Sequence, residues 1–229
     1  MTVIALDLRG LGKSSRPGDP YTVDTFVEDI KDLLEYLKIE GQIHLCGFSN
    51  GGTIVETFVL KYPALVKTLL LFGTASYIPL EEYEQQLKFL EQNFKKLTTD
   101  QMIQIAIPMM FSTSFRRKLR KDEQLYELYK NDMGLIAHLK NPPRYQDYVN
   151  HWKAIKGFDV RELINSITQP TLIMVGSKDQ GNRIDSEWMH GKIQNSTFEV
   201  LEGIGHGFII EAPEKTNNVM WDFLKQHLG

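Results

Sequence analysis

The chain has 229 residues, 42% of them apolar and 24% charged, the balance of a folded globule with a sizeable core rather than of a disordered or fibrous chain. Its formal net charge of −3, with acids and bases interspersed, provides no global field for nucleic acid or a membrane surface, so a small molecule is the expected partner. Cys46 has no second cysteine to pair with, no stretch reaches the roughly 18 apolar residues of a membrane span, and no leader pattern follows Met1; together these predict a cytoplasmic protein.

In chain order, residues 2–8 (TVIALDL) form a β-branched and aliphatic run that reads as a strand, followed by a Gly, Ser and Pro-rich loop over 9–20. From Thr22 to Ile39 the apolar residues Phe26, Val27, Ile30, Leu33, Leu34 and Leu37 recur at helical spacing, with Thr25 and Glu28 as a capping box. Residues 43–47 (IHLCG) read as a second strand, 50–62 as a helix stopped by Pro63, and 67–73 as a third, nearly all-apolar strand. Such alternation implies parallel strands buried on both faces. Residues 80–156 show helical periodicity and no strand, which predicts a helical cap inserted at 77–160 between core parts 1–76 and 161–229. Strand character returns at 171–175 and 197–201, and an amphipathic helix from Pro213 to His227 closes the chain.

The chemistry concentrates in Gly47-Phe48-Ser49-Asn50-Gly51-Gly52, between a predicted strand and a predicted helix. A serine on such a turn is lifted out of the sheet, and glycines two residues before and after it relieve the crowding that a tight turn creates. Ser49 then sits at a helix N-terminus, where the backbone N–H of Asn50 is the natural first donor to a developing oxyanion. A serine hydroxyl needs an imidazole to take its proton, and the imidazole needs a carboxylate to fix its tautomer. Strand 171–175 runs into Gly176-Ser177-Lys178-Asp179, and strand 197–201 into Gly205-His206-Gly207, so Asp179 and His206 are the candidates for those roles.

These motifs resemble the α/β-hydrolase superfamily, on the branch of carboxylesterases, enol-lactonases and cofactor-free perhydrolases. The resemblance rests on residues 6–14 (LDLRGLGKS), the segment around Ser49, residues 169–173 (QPTLI), Gly176 to Asp179, Gly205-His206 and residues 211–214 (EAPE). It implies an α/β fold of mostly parallel sheet flanked by helices, with the triad in the order Ser49, Asp179, His206. Ser49 argues against relatives that carry Asp as nucleophile. The resemblance also implies earlier strands and a His-Gly loop, source of a second oxyanion donor, ahead of the segment matching residues 2–8. The expected sheet is therefore reduced at its N-terminal side, with one strand missing between residues 2–8 and 43–47. An exposed edge of that kind favours a homodimer.

The expected activity is hydrolysis of a small or medium apolar carboxylic ester through an acyl-enzyme, without cofactor or metal, since the remaining histidines lack metal-ligand spacing. Perhydrolysis, suggested by the resemblance, and a catalytically silent ligand-binding protein are the alternatives. By position, Phe48 and Phe208 are substrate-binding candidates, while Met109, Met110, Phe111, Tyr145 and Trp152 either roof the pocket or pack the cap. Cys46 reads as a buried core residue, Asp7 and Arg9 as loop-stabilising, Asp185 as a rival to Asp179, and the basic run 116–121 as a solvated helix face.

Overall fold

The computed structural model describes residues 2–93, 96–132 and 144–228. Its centre is one sheet of four parallel strands, β1 (Ile43–Phe48), β2 (Val66–Phe72), β3 (Thr171–Gly176) and β4 (Ser196–Leu201), lying side by side in chain order. Around it lie α1 (Val23–Tyr36) and α2 (Asn50–Lys61), then a group between β2 and β3: α3 (Leu80–Asn93), α4 (Thr99–Met110), α5 (Thr113–Lys121), α6 (Glu123–Asp132) and α7 (Tyr145–Ala154). Helix α8 (Gln180–Lys192) joins β3 to β4, and the short α9 (Phe208–Glu211) precedes the closing α10 (Pro213–Leu224). No helix among the described residues is long and apolar enough to cross a membrane.

The period of two along a strand sorts β2 and β3 between two cores. Leu69, Leu71 and Ile173 pack with Phe26 and Val27 of α1, Ile54, Val55 and Phe58 of α2, and Met189 of α8. On the opposite face Leu70, Phe72, Leu172 and Met174 pack with Phe208, Phe223 and Leu224. Strands covered on both faces need apolar residues at every position, which explains the unbroken runs 69–72 and 172–175. Each such side chain contributes about 1.5–3 kcal/mol on burial.

Three expectations change. Residues 2–8 form no strand, and Val3, Ile4 and Leu6 are exposed, because among the described residues β1 pairs only with β2 and no strand stands beside 2–8 to complete a ladder. A β-propensity run without a partner strand has nothing to satisfy its backbone except water. Cys46 is exposed rather than core, since it sits on the edge strand while its neighbours Leu45 and Gly47 face the α2 side. The capping box of α1 lies one turn earlier than expected, with Thr22 and Thr25 exchanging side-chain and backbone hydrogen bonds. Glu28 instead accepts from the Tyr62 hydroxyl at 2.8 Å. Asp7 and Arg9 do hold their loop: the Asp7 carboxylate accepts the Lys13 N–H at 2.9 Å, and Arg9 forks onto Asp29.

Glu56 of α2 is fully buried, and neither carboxyl oxygen finds a hydrogen-bond partner among the described residues. Burial pushes its pKa up to about 8, the charge of Asp185 adds to the rise, and nearby Ser76 pulls it partly back. The folded chain therefore holds a neutral carboxyl where the unfolded chain ionises near its ordinary value. With the folded value raised, this stabilising contribution is complete below the unfolded pKa and is lost as pH rises through about 8. Glu56→Gln, the same shape without titration, is expected to raise Tm relative to the natural chain by an increment that grows between about pH 5 and pH 9. A calorimetric increment that stays constant over that range would contradict this.

Candidate functional site

The turn between β1 and α2 sets the site. Ser49 occupies φ 53° and ψ −125°, a region that a residue with a Cβ rarely visits, at the N-cap of α2. Its N–H donates to Phe72 O at 2.9 Å and its carbonyl accepts from Gly52 N–H at 2.8 Å, so both sides of the turn are pinned. The glycines around it have unequal duties. A Cβ on Gly47 would stand 2.4 Å from the Gly51 carbonyl, and one on Gly52 would stand 2.1 Å from Thr74 Oγ1, whereas one on Gly51 would meet nothing within 4 Å. The crowding expected on both sides of the serine thus falls on Gly47 and Gly52.

The loops after β3 and β4 bring up the other two residues. His206 Nδ1 donates to Asp179 Oδ2 at 2.6 Å, with both side chains largely buried. That bond holds the proton on Nδ1 and leaves Nε2 with a free lone pair, the form a general base requires. Asn182, on the first turn of α8, donates through Nδ2 to both oxygens of Asp179 at 3.0 Å and so fixes the carboxylate plane. Asp185 makes no such contact with His206. Phe48 stacks at a tilt on the imidazole, 4.9 Å between ring centres. Gly73, at φ 52°, leaves room for the ring, since a Cβ there would lie 3.2 Å from His206 Nδ1.

A cavity of about 490 Å³ collects Ser49, Asn50, Asp179 and His206 in its walls. Among the described residues no direct hydrogen bond joins the Ser49 hydroxyl to His206. The cap side contributes Tyr77, Met109, Met110 and Trp152, and Asn50 begins α2, where the N–H groups of Asn50 and Gly51 precede the first intrahelical acceptor. Glu82, Asn182 and Asp185 also line the cavity, and among the described residues no lysine or arginine does. Burial and the charge of Glu82 raise the Asp185 pKa. Phe208, expected at the substrate, is instead fully buried in the core against Phe48 and Phe72; neither Phe208 nor Phe48 lines the cavity. Phe111 also packs into the cap core, against Phe115 and Tyr129, rather than roofing the pocket.

The His206 loop is tied to the cap through Glu211, whose carboxylate accepts the N–H groups of Gly205 and Ser112 at 3.0 Å each and the Ser112 hydroxyl. Gly207 N–H donates to Met110 O at 2.6 Å. A Cβ on Gly205 would stand 2.7 Å from Met110 O, so glycine is what lets the cap backbone approach. The roles of two residues escaped the sequence reading. Asn182 was detectable as the third residue after Asp179 at a helix start, a spacing at which side chains meet. Glu211 stands in the EAPE segment of the resemblance, but its role rests on Ser112, 99 residues away, as much as on Gly205, six residues away, and that pairing left no local signal.

The sequence model of a family described as alpha/beta hydrolase fold matches residues 1–213. A 3-oxoadipate enol-lactonase of Acinetobacter baylyi is 31% identical over 97% of this chain and 78% of its own length. A proline iminopeptidase of Heyndrickxia coagulans is 28% identical over 97% and 81%. Among solved structures, an esterase from Exiguobacterium antarcticum superposes with a TM-score of 0.78 at 25% identity, covering 96% of this chain and 80% of its own. 

The glycine contacts lead to a paired test. Gly47→Ala is expected to lower stability by about 2–4 kcal/mol or to abolish soluble expression, as overpacking against backbone does. Gly51→Ala is expected to change Tm by no more than a few degrees. Equal losses from the two in urea unfolding would show that the close approach is not the constraint.

Proposed function

The chain belongs to the α/β-hydrolase fold family and is a hydrolase, and from that premise we propose that it cleaves carboxylic esters through an acyl-enzyme on Ser49. The observation that carries the proposal is the 2.6 Å bond from His206 Nδ1 to Asp179 in the wall of the cavity that also holds Ser49. In this reading Nε2 of His206 takes the Ser49 proton as Oγ attacks the ester carbonyl. Contacts of this type are often long in unliganded sites and tighten when substrate excludes water. The carbonyl electrons move onto oxygen, where the N–H of Asn50 and the positive end of α2 stabilise the charge. Collapse of the tetrahedral adduct expels the alcohol, which takes the proton from His206. Water then attacks the acyl-enzyme with the same imidazole as base, restoring Ser49 and releasing the acid. Asp179, oriented by Asn182, stabilises the imidazolium in both halves.

Met109, Met110, Tyr77 and Trp152 supply an apolar wall for the acyl or alcohol group. Glu82 and Asp185, with no lysine or arginine among the described lining residues, disfavour substrates that carry a free carboxylate. The same acidic pair supports a second reading, cleavage of an amide whose amine is protonated, for which the likeness to the proline iminopeptidase of H. coagulans is a further support.

The purified chain is expected to hydrolyse p-nitrophenyl butyrate, and Ser49→Ala to lower kcat by about 10⁴-fold or more. A fluorophosphonate is expected to label Ser49 and no other residue. Faster turnover of proline p-nitroanilide than of the ester would favour the second reading. A folded protein inert to all three reagents would leave only ligand binding without catalysis.

A further inference from the structure

A second cavity, of about 390 Å³, lies between α4 and α5 and shares no described lining residue with the first. Its volume falls at the lower end of the range for small-molecule pockets, about 300–1,000 Å³. One wall is the face of α4 that carries Gln104, Ile107 and Pro108, and the other is the face of α5 that carries Arg116, Leu119 and Arg120. Both triplets have the i, i+3, i+4 spacing that puts side chains on one side of a helix. Ile107 and Leu119 are buried and form an apolar floor with Pro108.

The polar part of this cavity has one sign. Arg116 and Arg120 stand one turn apart, where like charges repel; Gln104 and Tyr126 are neutral and bond to each other at 2.8 Å, and among the described residues no aspartate or glutamate lines the space. Arg116 uses Nη2 on the Thr113 hydroxyl at 2.8 Å, but its Nε–H is buried and has no acceptor. Among the described residues no cation of the run Arg116, Arg117, Lys118, Arg120 and Lys121 forms an ion pair. The acids that follow are engaged elsewhere or exposed: Asp122 accepts the Leu125 N–H, Glu127 meets Lys130 at 3.7 Å, and Glu123 opens α6 on the surface. A carboxylate placed between Arg116 and Arg120 relieves their mutual repulsion, and a guanidinium fork matches a carboxylate in shape.

We propose that this cavity binds an alkyl carboxylate, with the anionic head on Arg116 and Arg120 and the chain on Ile107, Pro108 and Leu119. The site is independent of the ester-hydrolase reading, because none of its residues lines the Ser49 cavity. Both features are required: the cations alone would hold any small anion, and the apolar floor alone would hold an alcohol equally well.

Isothermal titration of the full chain with decanoate below its micelle concentration is expected to show saturable binding. Decan-1-ol and acetate are each expected to bind at least tenfold more weakly. The double substitution Arg116→Gln with Arg120→Gln, both on side chains that reach solvent or the cavity edge, should weaken decanoate at least tenfold while leaving the circular dichroism spectrum unchanged. Ile107→Trp, which fills the cavity, should abolish binding with both arginines present; if that variant fails to fold, the arginine double variant alone decides. Decanoate binding that survives the double substitution would place the ligand elsewhere and overturn the proposal. So would the absence of decanoate binding alongside arginine-dependent association with phosphatidylserine vesicles, which would make α5 a membrane-facing helix.

Discussion

The conformation of Ser49 is the constraint from which the site is built. A residue with a Cβ at φ 53° costs on the order of 1–3 kcal/mol, and the turn persists because its surroundings allow nothing else. The Ser49 N–H is committed to the carbonyl of Phe72 on the neighbouring strand, and Gly47 passes so close to Gly51 that no side chain fits between them. The strand ladder thus fixes where β1 ends, and the close approach fixes how sharply the chain reverses into α2. The consequence is a hydroxyl held at a helix N-terminus above the sheet, inside a cavity.

The sheet carries the remaining residues to the same end of the molecule. Parallel strands present all their carboxyl ends on one side, and this is where open α/β sheets form their crevices. Ser49 follows β1, Gly73 and Thr74 follow β2, Asp179 follows β3 and His206 follows β4. The cap is bound to this edge by polar contacts as well as packing. Glu211 links Gly205 and Ser112, and Gly207 meets Met110, so the loop that carries the imidazole and the helix that roofs the cavity are held as one unit. Phe48 and Phe208 belong to this support: one stacks on His206, and the other packs behind it in the core.

Charge is distributed unevenly between the two cavities. Among the described residues, the one holding Ser49 is lined by carboxylates without lysine or arginine, and the one between α4 and α5 by arginines without carboxylates. A net charge of −3 spread along the sequence gives no hint of this segregation, which arises only when helices turn particular faces toward each other.

Local chemistry in the sequence determined the strands at 43, 67, 171 and 197, the helix after Ser49 and the order of serine, acid and histidine, because each rests on neighbours within a few residues. Apolar runs, a glycine-bounded serine and loop carboxylates declare themselves without reference to the rest of the chain. What depended on partners distant in sequence was decided by the tertiary structure. Residues 2–8 have every local mark of a strand and form none, because a ladder requires an adjacent strand that the fold does not place there. Cys46 is exposed for the same reason, on the strand whose outer edge is unpaired. Phe208 sits two residues from His206 in sequence, but burial turned it into the core, and Glu211 gained its role only when the cap folded back onto it. A side chain's type can be read from one position, whereas its neighbours in space depend on the path of the whole chain.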